Sequence, residues 1–402
     1  ALHAAFQSRI SIITGGPGVG KTTVIGELVQ MSTHSGIRVR LAAPTGRAAK
    51  RLSESCKREA QTIHRLLKWD PQERKFVYGP DRTLPCDLLI VDEVSMMDIE
   101  LSHSLFSAVA PGTFVVLVGD RDQLPSVGPG SVLNDLIASR RIPATHLTEI
   151  YRQAGESRIV HGARALNAGE LPDLTPPADH DTSDFYWIDQ DDPERVIDII
   201  GRLVTRRIPQ RFRFDAMRDI QILAPMNKGV CGTMALNDML QAALNGDDTK
   251  PQFRTGERVL RVSDRVMQVV NNYDKGVFNG ELGMIAGIDT TARQFEVAFD
   301  VGRVVYNWDE ADQVRLAYAV TVHKSQGSEF PVVVMPVLTQ HYIMLQRNLI
   351  YTGMTRARKL LVMIGTRKAL AIAVRNNKPT LRYSRLSERV RAAAPGDVHT
   401  GN

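Results

Sequence analysis

The chain has 402 residues, a formal net charge of +6, 43% hydrophobic and 23% charged residues. That length calls for two or three domains, and the composition excludes disorder over the bulk of the chain. Three scattered cysteines, Cys56, Cys86 and Cys231, exclude a disulfide scaffold and point to a reducing, cytoplasmic setting, while no apolar run approaches the ~20 residues of a membrane span.

A start at Ala1 rather than Met, with no basic or apolar leader, predicts that the natural N-terminus lies upstream. Ile10 to Ile13 is a short apolar strand running straight into glycines, followed by a helical pattern from Lys21 to about Met31. Val39 to Ala43 reads as a second strand closed by Pro44, and Gly46 to Cys56 as a helix. Pro71, Gly79-Pro80 and Pro85 interrupt the pattern and bracket a small hairpin insertion near 68–80. Leu88 to Val91 and Phe114 to Val118 are continuous apolar strands; alternating with helices, such runs predict a parallel sheet covered on both faces. Residues 1–150 are therefore expected to form one doubly wound α/β domain. The acidic, proline-containing stretch Glu170 to Glu194 reads as a surface loop or linker. Strands return at Gln221 to Pro225. Short β patterns then crowd together at Val266 to Val270, Leu282 to Ile288, Phe295 to Phe299 and Val304 to Trp308, predicting a small antiparallel barrel over 249–308. Leu316 to Val322, Val332 to Val337 and Leu360 to Ile364 resume the parallel pattern, so 151–248 and 309–380 are expected to make a second α/β domain, with 381–402 as a tail.

The charge is uneven. Arg38 to Lys75 holds eleven basic residues against four acidic ones, a block suited to phosphates. The strongest chemical signal is Gly15-Gly16-Pro17-Gly18-Val19-Gly20-Lys21-Thr22, followed by Thr23, between a strand and a helix. Glycines let the backbone curl so that N–H groups point at phosphate oxygens, and the helix N-terminus adds partial positive charge. Lys21 is placed to reach β- and γ-phosphates, and the Thr22 hydroxyl to ligate Mg²⁺. Leu88-Leu89-Ile90-Val91-Asp92-Glu93 ends an apolar strand in two acids: Asp92 suits Mg²⁺, and Glu93 suits orienting and deprotonating an attacking water. Gly119-Asp120 then leads to Gln123, an uncharged amide able to sense a γ-phosphate. Together these predict hydrolysis of a nucleotide with Mg²⁺.

The set resembles superfamily 1 helicases, most closely the RecD-type branch, over nearly the whole chain. Ala43-Pro44-Thr45-Gly46-Arg47-Ala48-Ala49 and Thr62-Ile63-His64-Arg65 resemble that family's DNA-contacting motifs, and Tyr151-Arg152-Gln153 its fourth motif. Val277-Phe278-Asn279-Gly280-Glu281-Leu282-Gly283, Thr321-Val322-His323-Lys324-Ser325-Gln326-Gly327-Ser328-Glu329 and Tyr351-Thr352-Gly353-Met354-Thr355-Arg356 resemble its second-half motifs. The resemblance implies two RecA-like P-loop domains and an ATP-driven motor on single-stranded DNA and single-/double-strand junctions, moving 5′ to 3′. It implies γ-phosphate cations at Arg152 and Arg356, with nucleotide bridging the two domains, and further nucleotide contacts at Gly327 and Glu329. It implies DNA contacts at Pro44, Thr45, Gly46, Arg47, Thr62, His64, Asn272, Asn279, Gly280, Thr321, His323 and Ser325, and a strand-separating pin in the 68–80 hairpin. The family's adenine-recognising glutamine is expected upstream of Ala1, because Gln7 stands too close to Ile10. A non-motor subunit of a larger helicase–nuclease complex is the alternative. No nuclease constellation is visible, which predicts no intrinsic strand cleavage.

Overall fold

A computed structural model describes residues 2–70, 72–149, 156–178, 182–377 and 382–393. It groups the chain into two compact units, Ala1–Ala154 with Lys378–Asn402, and Gly155–Asn377.

The first unit is built on a six-stranded sheet, wholly parallel. Its spatial order is Ala60–Thr62, Val39–Ala43, Leu88–Val91, Phe114–Gly119, Ile10–Gly15, Ala144–Leu147. Leu88 to Val91 and Val115 to Val118 are all buried, as a strand covered on both faces requires. The helix Lys21–His34 turns Ile25, Leu28, Val29 and Ser32 inward, a stripe at helical spacing that seals one face. The helix Gly46–Cys56 buries Ala48, Ala49 and Leu52. Two-residue strands, Trp69–Asp70 and Lys75–Phe76, pair antiparallel at the foreseen hairpin, where Phe76 meets Trp69 and His64 edge-on or tilted.

The C-terminal residues 382–393 do not trail as a tail. Leu386 and Val390 of the helix Leu386–Ala392 pack on the first unit's core, because the helix docks against Val132–Ser139.

The second unit holds a five-stranded parallel sheet in the order Ala319–Thr321, Ile220–Ala224, Phe330–Val337, Ala357–Gly365, Phe185–Asp189. Inserted in it is a five-stranded antiparallel sheet, Gly302–Asn307, Gln294–Phe299, Leu282–Asp289, Arg265–Gln268, Val314–Leu316, with a two-stranded ribbon, Gln252–Thr255 and Arg258–Arg261. Phe253 stacks on Trp308 with ring centroids 5.1 Å apart, tying ribbon to sheet.

Two further sequence expectations are corrected. Leu316 to Val322 is not one strand: Val314–Leu316 pairs with Arg265–Gln268 in the antiparallel sheet, and Ala319–Thr321 joins the parallel one. The inserted module therefore reaches past 308. The stretch Glu170 to Glu194 is not all linker, because Phe185–Asp189 is an edge strand and Pro193 opens the helix Pro193–Arg202. No helix among the described residues is long and apolar enough to cross a membrane.

Candidate functional site

Parallel strands all point the same way, so their C-terminal ends share one sheet edge, where ligands of open α/β sheets sit. In the first unit that edge collects the glycine loop, Pro44 to Arg47, Thr62 and His64, Asp92-Glu93, and Asp120 to Gln123.

The loop starts at Gly15, where a Cβ would lie 2.6 Å from the Leu147 carbonyl oxygen, so only glycine fits. It ends at Gly20, whose φ of 81° turns the chain into the helix Lys21–His34. No side chain caps that helix, which leaves its first N–H groups facing the loop cradle, an arrangement that receives anions. Gly16, Pro17 and Gly18 form the rim and Val19 is buried beneath it. Lys21 Nζ donates to the carbonyl oxygens of Gly15 at 2.6 Å and Gly16 at 2.7 Å. These are neutral acceptors that a phosphate would outcompete. Thr22 and Thr23 are exposed at the helix start.

Asp92 and Glu93 are 5% and 6% exposed. Burial and the neighbouring Glu93 charge push the Asp92 carboxyl up, while Arg51 and Lys21 pull it back. Asp92 Oδ1 accepts the Glu93 N–H at 2.8 Å. Glu93 adopts a φ of 53°, a conformation that non-glycine residues hold only when their surroundings enforce it. Its Oε1 accepts from Arg51 Nη2 at 2.7 Å. Gln123, 8% exposed, donates through Nε2 to Asp120 Oδ2 at 3.2 Å.

The donors fit a magnesium ion. A hydroxyl at Thr22 and a carboxylate at Asp92 are hard oxygen ligands, and Mg²⁺ is usually held by one or two carboxylates with waters and substrate phosphates. No cluster of three or more His, Cys, Asp or Glu able to hold a metal occurs among the described residues.

The candidate DNA residues divide by how they are engaged. In the first unit, Thr45 Oγ1 accepts from Ala48 N–H at 3.3 Å and Thr62 Oγ1 from Arg65 N–H at 3.1 Å; each caps a helix that opens on the sheet edge. Pro44, Gly46 and Arg47 are partly exposed beside them. His64 is half-buried and burial lowers its pKa. In the second unit, Thr321 Oγ1 accepts from Lys324 N–H, and Ser325, 1% exposed, donates its hydroxyl to Val322 O at 2.7 Å. His323 is half-buried, again with a lowered pKa. Asn272 bridges Gln313 and the Lys275 N–H, shaping its own loop, whereas Asn279 is exposed next to Gly280 at φ 93°. Gly327 has φ 71°, and exposed Glu329 lies 3.6 Å from Arg358. Arg356 is 2% exposed, and its guanidinium donates to Thr352 O at 3.2 Å and Ser328 O at 3.1 Å. Arg152 lies outside the described residues.

Sequence reasoning missed Arg51. Its signal was available: on the helix Gly46–Cys56 it stands one turn beyond Arg47, on the same face.

Three family comparisons cover most of the chain. An AAA domain matches residues 1–183, a UvrD-like helicase C-terminal domain 316–364, and the SH3 domain of ATP-dependent RecD-like DNA helicases 236–299. The ATP-dependent RecD2 DNA helicase of Deinococcus radiodurans is 38% identical over 385 residues, 96% of this chain and 50% of that protein. The chain is similar to RecD-type helicases over nearly its whole length. It spans half the length of the Deinococcus relative. The RecBCD enzyme subunit RecD of Mycolicibacterium smegmatis is 28% identical, over 98% of this chain and 74% of that one. Among solved structures, a Bacteroides Pif1 helicase in complex with ADP-AlF3 and single-stranded DNA shares the fold. Its TM-score is 0.55 at 20% identity, covering 94% of this chain and 93% of that one.

Proposed function

We propose that this chain is an ATP-driven motor that moves 5′ to 3′ along single-stranded DNA and separates duplex at junctions. The observation carrying the reading is the convergence, at one sheet edge of the first unit, of an uncapped helix N-terminus with Lys21, the Asp92-Glu93 pair and Gln123. Phosphoryl transfer demands positioning and charge neutralisation, and that edge supplies both. Lys21 and the loop N–H groups bind the phosphates; Gly16 to Thr23 shape the cradle. Thr22 and Asp92 would hold a magnesium ion, which would supply positive charge to offset that of the phosphates. Glu93 orients the attacking water and accepts its proton, and Gln123 reports on the terminal phosphate. Arg152 and Arg356 supply γ-phosphate cations in this reading, with Gly327 and Glu329 as further nucleotide contacts.

DNA contact falls to Pro44, Thr45, Gly46, Arg47, Thr62 and His64 in the first unit. In the second it falls to Asn272, Asn279, Gly280, Thr321, His323 and Ser325. They are small or hydrogen-bonding groups suited to gripping a backbone without reading bases. For Ser325 this requires its hydroxyl to leave Val322. The domain plan is two RecA-like domains with an inserted small β module and a pin at 68–80.

The test is ATP hydrolysis with and without single-stranded DNA, joined to unwinding of 5′- and 3′-tailed duplexes. DNA-stimulated hydrolysis and unwinding of the 5′-tailed substrate are expected. Hydrolysis indifferent to DNA counts against the motor, and unwinding confined to 3′-tailed duplex reverses the polarity. The mycobacterial relatives named as RecBCD subunits favour one second reading, a subunit that hydrolyses ATP but unwinds nothing alone; the same assay on the purified protein separates the two.

A further inference from the structure

The helix Gly46–Cys56 touches two parts of the proposed engine. Its start, Thr45 to Arg47, carries assigned DNA contacts, and Arg51, one turn on from Arg47, ends on the Glu93 carboxylate. Four helical residues span about 6 Å, and a hydrogen-bonded helix moves as a rod. It buries Ala48, Ala49 and Leu52, and its Ser53 Oγ accepts the Ala60 N–H of the neighbouring edge strand at 2.8 Å.

Glu93 has little freedom of its own. Its N–H is held by Asp92 Oδ1, its carbonyl oxygen accepts from Met96 N–H at 3.0 Å, and its backbone sits at positive φ. What remains adjustable is the direction of the carboxylate, against which Arg51 Nη2 rests at 2.7 Å. The paired side chains are 28% and 8% exposed. Salt screens such a pair weakly, and parting it is costly unless a new partner takes over. A DNA phosphate beside Arg47 is such a partner for this basic helix.

We propose that Arg51 is a positioning residue that draws the Glu93 carboxylate off the attacking water until a DNA strand seats on Thr45 to Arg47 and shifts the helix. The proposal rests on the motor reading and deepens it, because it states how DNA stimulates hydrolysis.

The test is steady-state ATP hydrolysis by the wild type, Arg51→Met and Arg51→Lys, each with and without saturating single-stranded DNA, plus thermal melting of each protein. Methionine keeps an aliphatic stem but no charge. Arg51→Met is expected to raise the DNA-free kcat about fivefold or more, leave the KM for ATP unchanged, and shrink the stimulation by DNA correspondingly. Arg51→Lys, which keeps the charge, is expected to restore part of the DNA dependence. A side chain that only braces the fold would lower both rates and the melting temperature together; that result overturns the proposal, as does an unchanged DNA-free rate. A wild type whose hydrolysis ignores DNA sinks the motor reading and the proposal with it. A DNA-stimulated wild type with the same stimulation ratio in Arg51→Met sinks the proposal alone.

Discussion

At Lys21 a single ammonium rests on two carbonyl oxygens of its own loop, held ready for a stronger acceptor. Lys21→Ala is expected to cut ATP hydrolysis at least ~100-fold, because phosphate charge then goes unanswered, while the melting temperature barely changes. Glu93→Gln keeps the shape and removes the proposed base; kcat should fall about 10²- to 10⁴-fold while nucleotide binding, read by fluorescent analogue titration, persists. A different residue contributes to acid sensitivity. His341 is 1% exposed, its Nδ1 accepts from Leu338 N–H at 3.3 Å, and its Nε2 meets no partner among the described residues. Burial lowers its pKa from 6.5 to about 4. Between those values the unfolded chain binds the proton and the folded chain does not, so stability falls as pH drops from about 6.5 towards 4. The full effect is roughly 3 kcal/mol. Urea unfolding at several pH values should show this slope in the wild type and a flatter one in His341→Gln.

At the scale of elements, the C-terminal helix is held by an arginine strap as well as by its apolar contacts. Arg382 Nη1 donates to Ser126 Oγ at 3.1 Å, Gly128 O at 2.6 Å and Gly130 O at 2.8 Å, and Ser384 Oγ donates to Asp135 Oδ2 at 2.6 Å. The segment gripped follows directly on the Gln123 loop. Arg382→Ala removes a charged donor from three acceptors and should cost about 2 kcal/mol. Hydrogen exchange should then quicken over 126–139, and unchanged protection there would contradict the strap. Arg382 carries no sequence signal of this role, since its partners lie some 250 positions earlier.

At the scale of the molecule, the inserted β module is joined to its parallel sheet by a buried polar knot. Asp264, fully buried, accepts from Gln241 Nε2 at 2.6 Å, Asn245 Nδ2 at 2.7 Å, Tyr318 OH at 2.9 Å and Arg261 N–H at 2.7 Å. Arg265 donates to Ile220 O at 2.7 Å and Gln221 Oε1 at 2.8 Å. Both layers of the second unit therefore share one set of partners. Asp264→Ala leaves buried donors unpaired and should destabilise the unit by about 3 kcal/mol or more, with the module and the sheet melting together in calorimetry. In the proposed function magnesium serves hydrolysis and not the DNA grip. Removing it with EDTA should abolish hydrolysis and leave salt-sensitive DNA binding in place, measured by fluorescence anisotropy.

Local order sufficed for the phosphate loop, the Asp92-Glu93 strand end and the main apolar strands, because each is written in consecutive residues: glycines where φ must be positive, unbroken apolar runs where both faces are covered. The three-residue strands were different. Ala60–Thr62, Val314–Leu316 and Ala319–Thr321 are too short to show a period, and partners far along the chain choose their sheet. The same holds for Phe185–Asp189, hidden within an acidic stretch, and for Arg51, whose meaning comes from a carboxylate 42 positions away. Hydrophobic pattern and turn chemistry act over a few residues; pairing, burial and charge contact act through space, and only the folded chain brings those groups within reach.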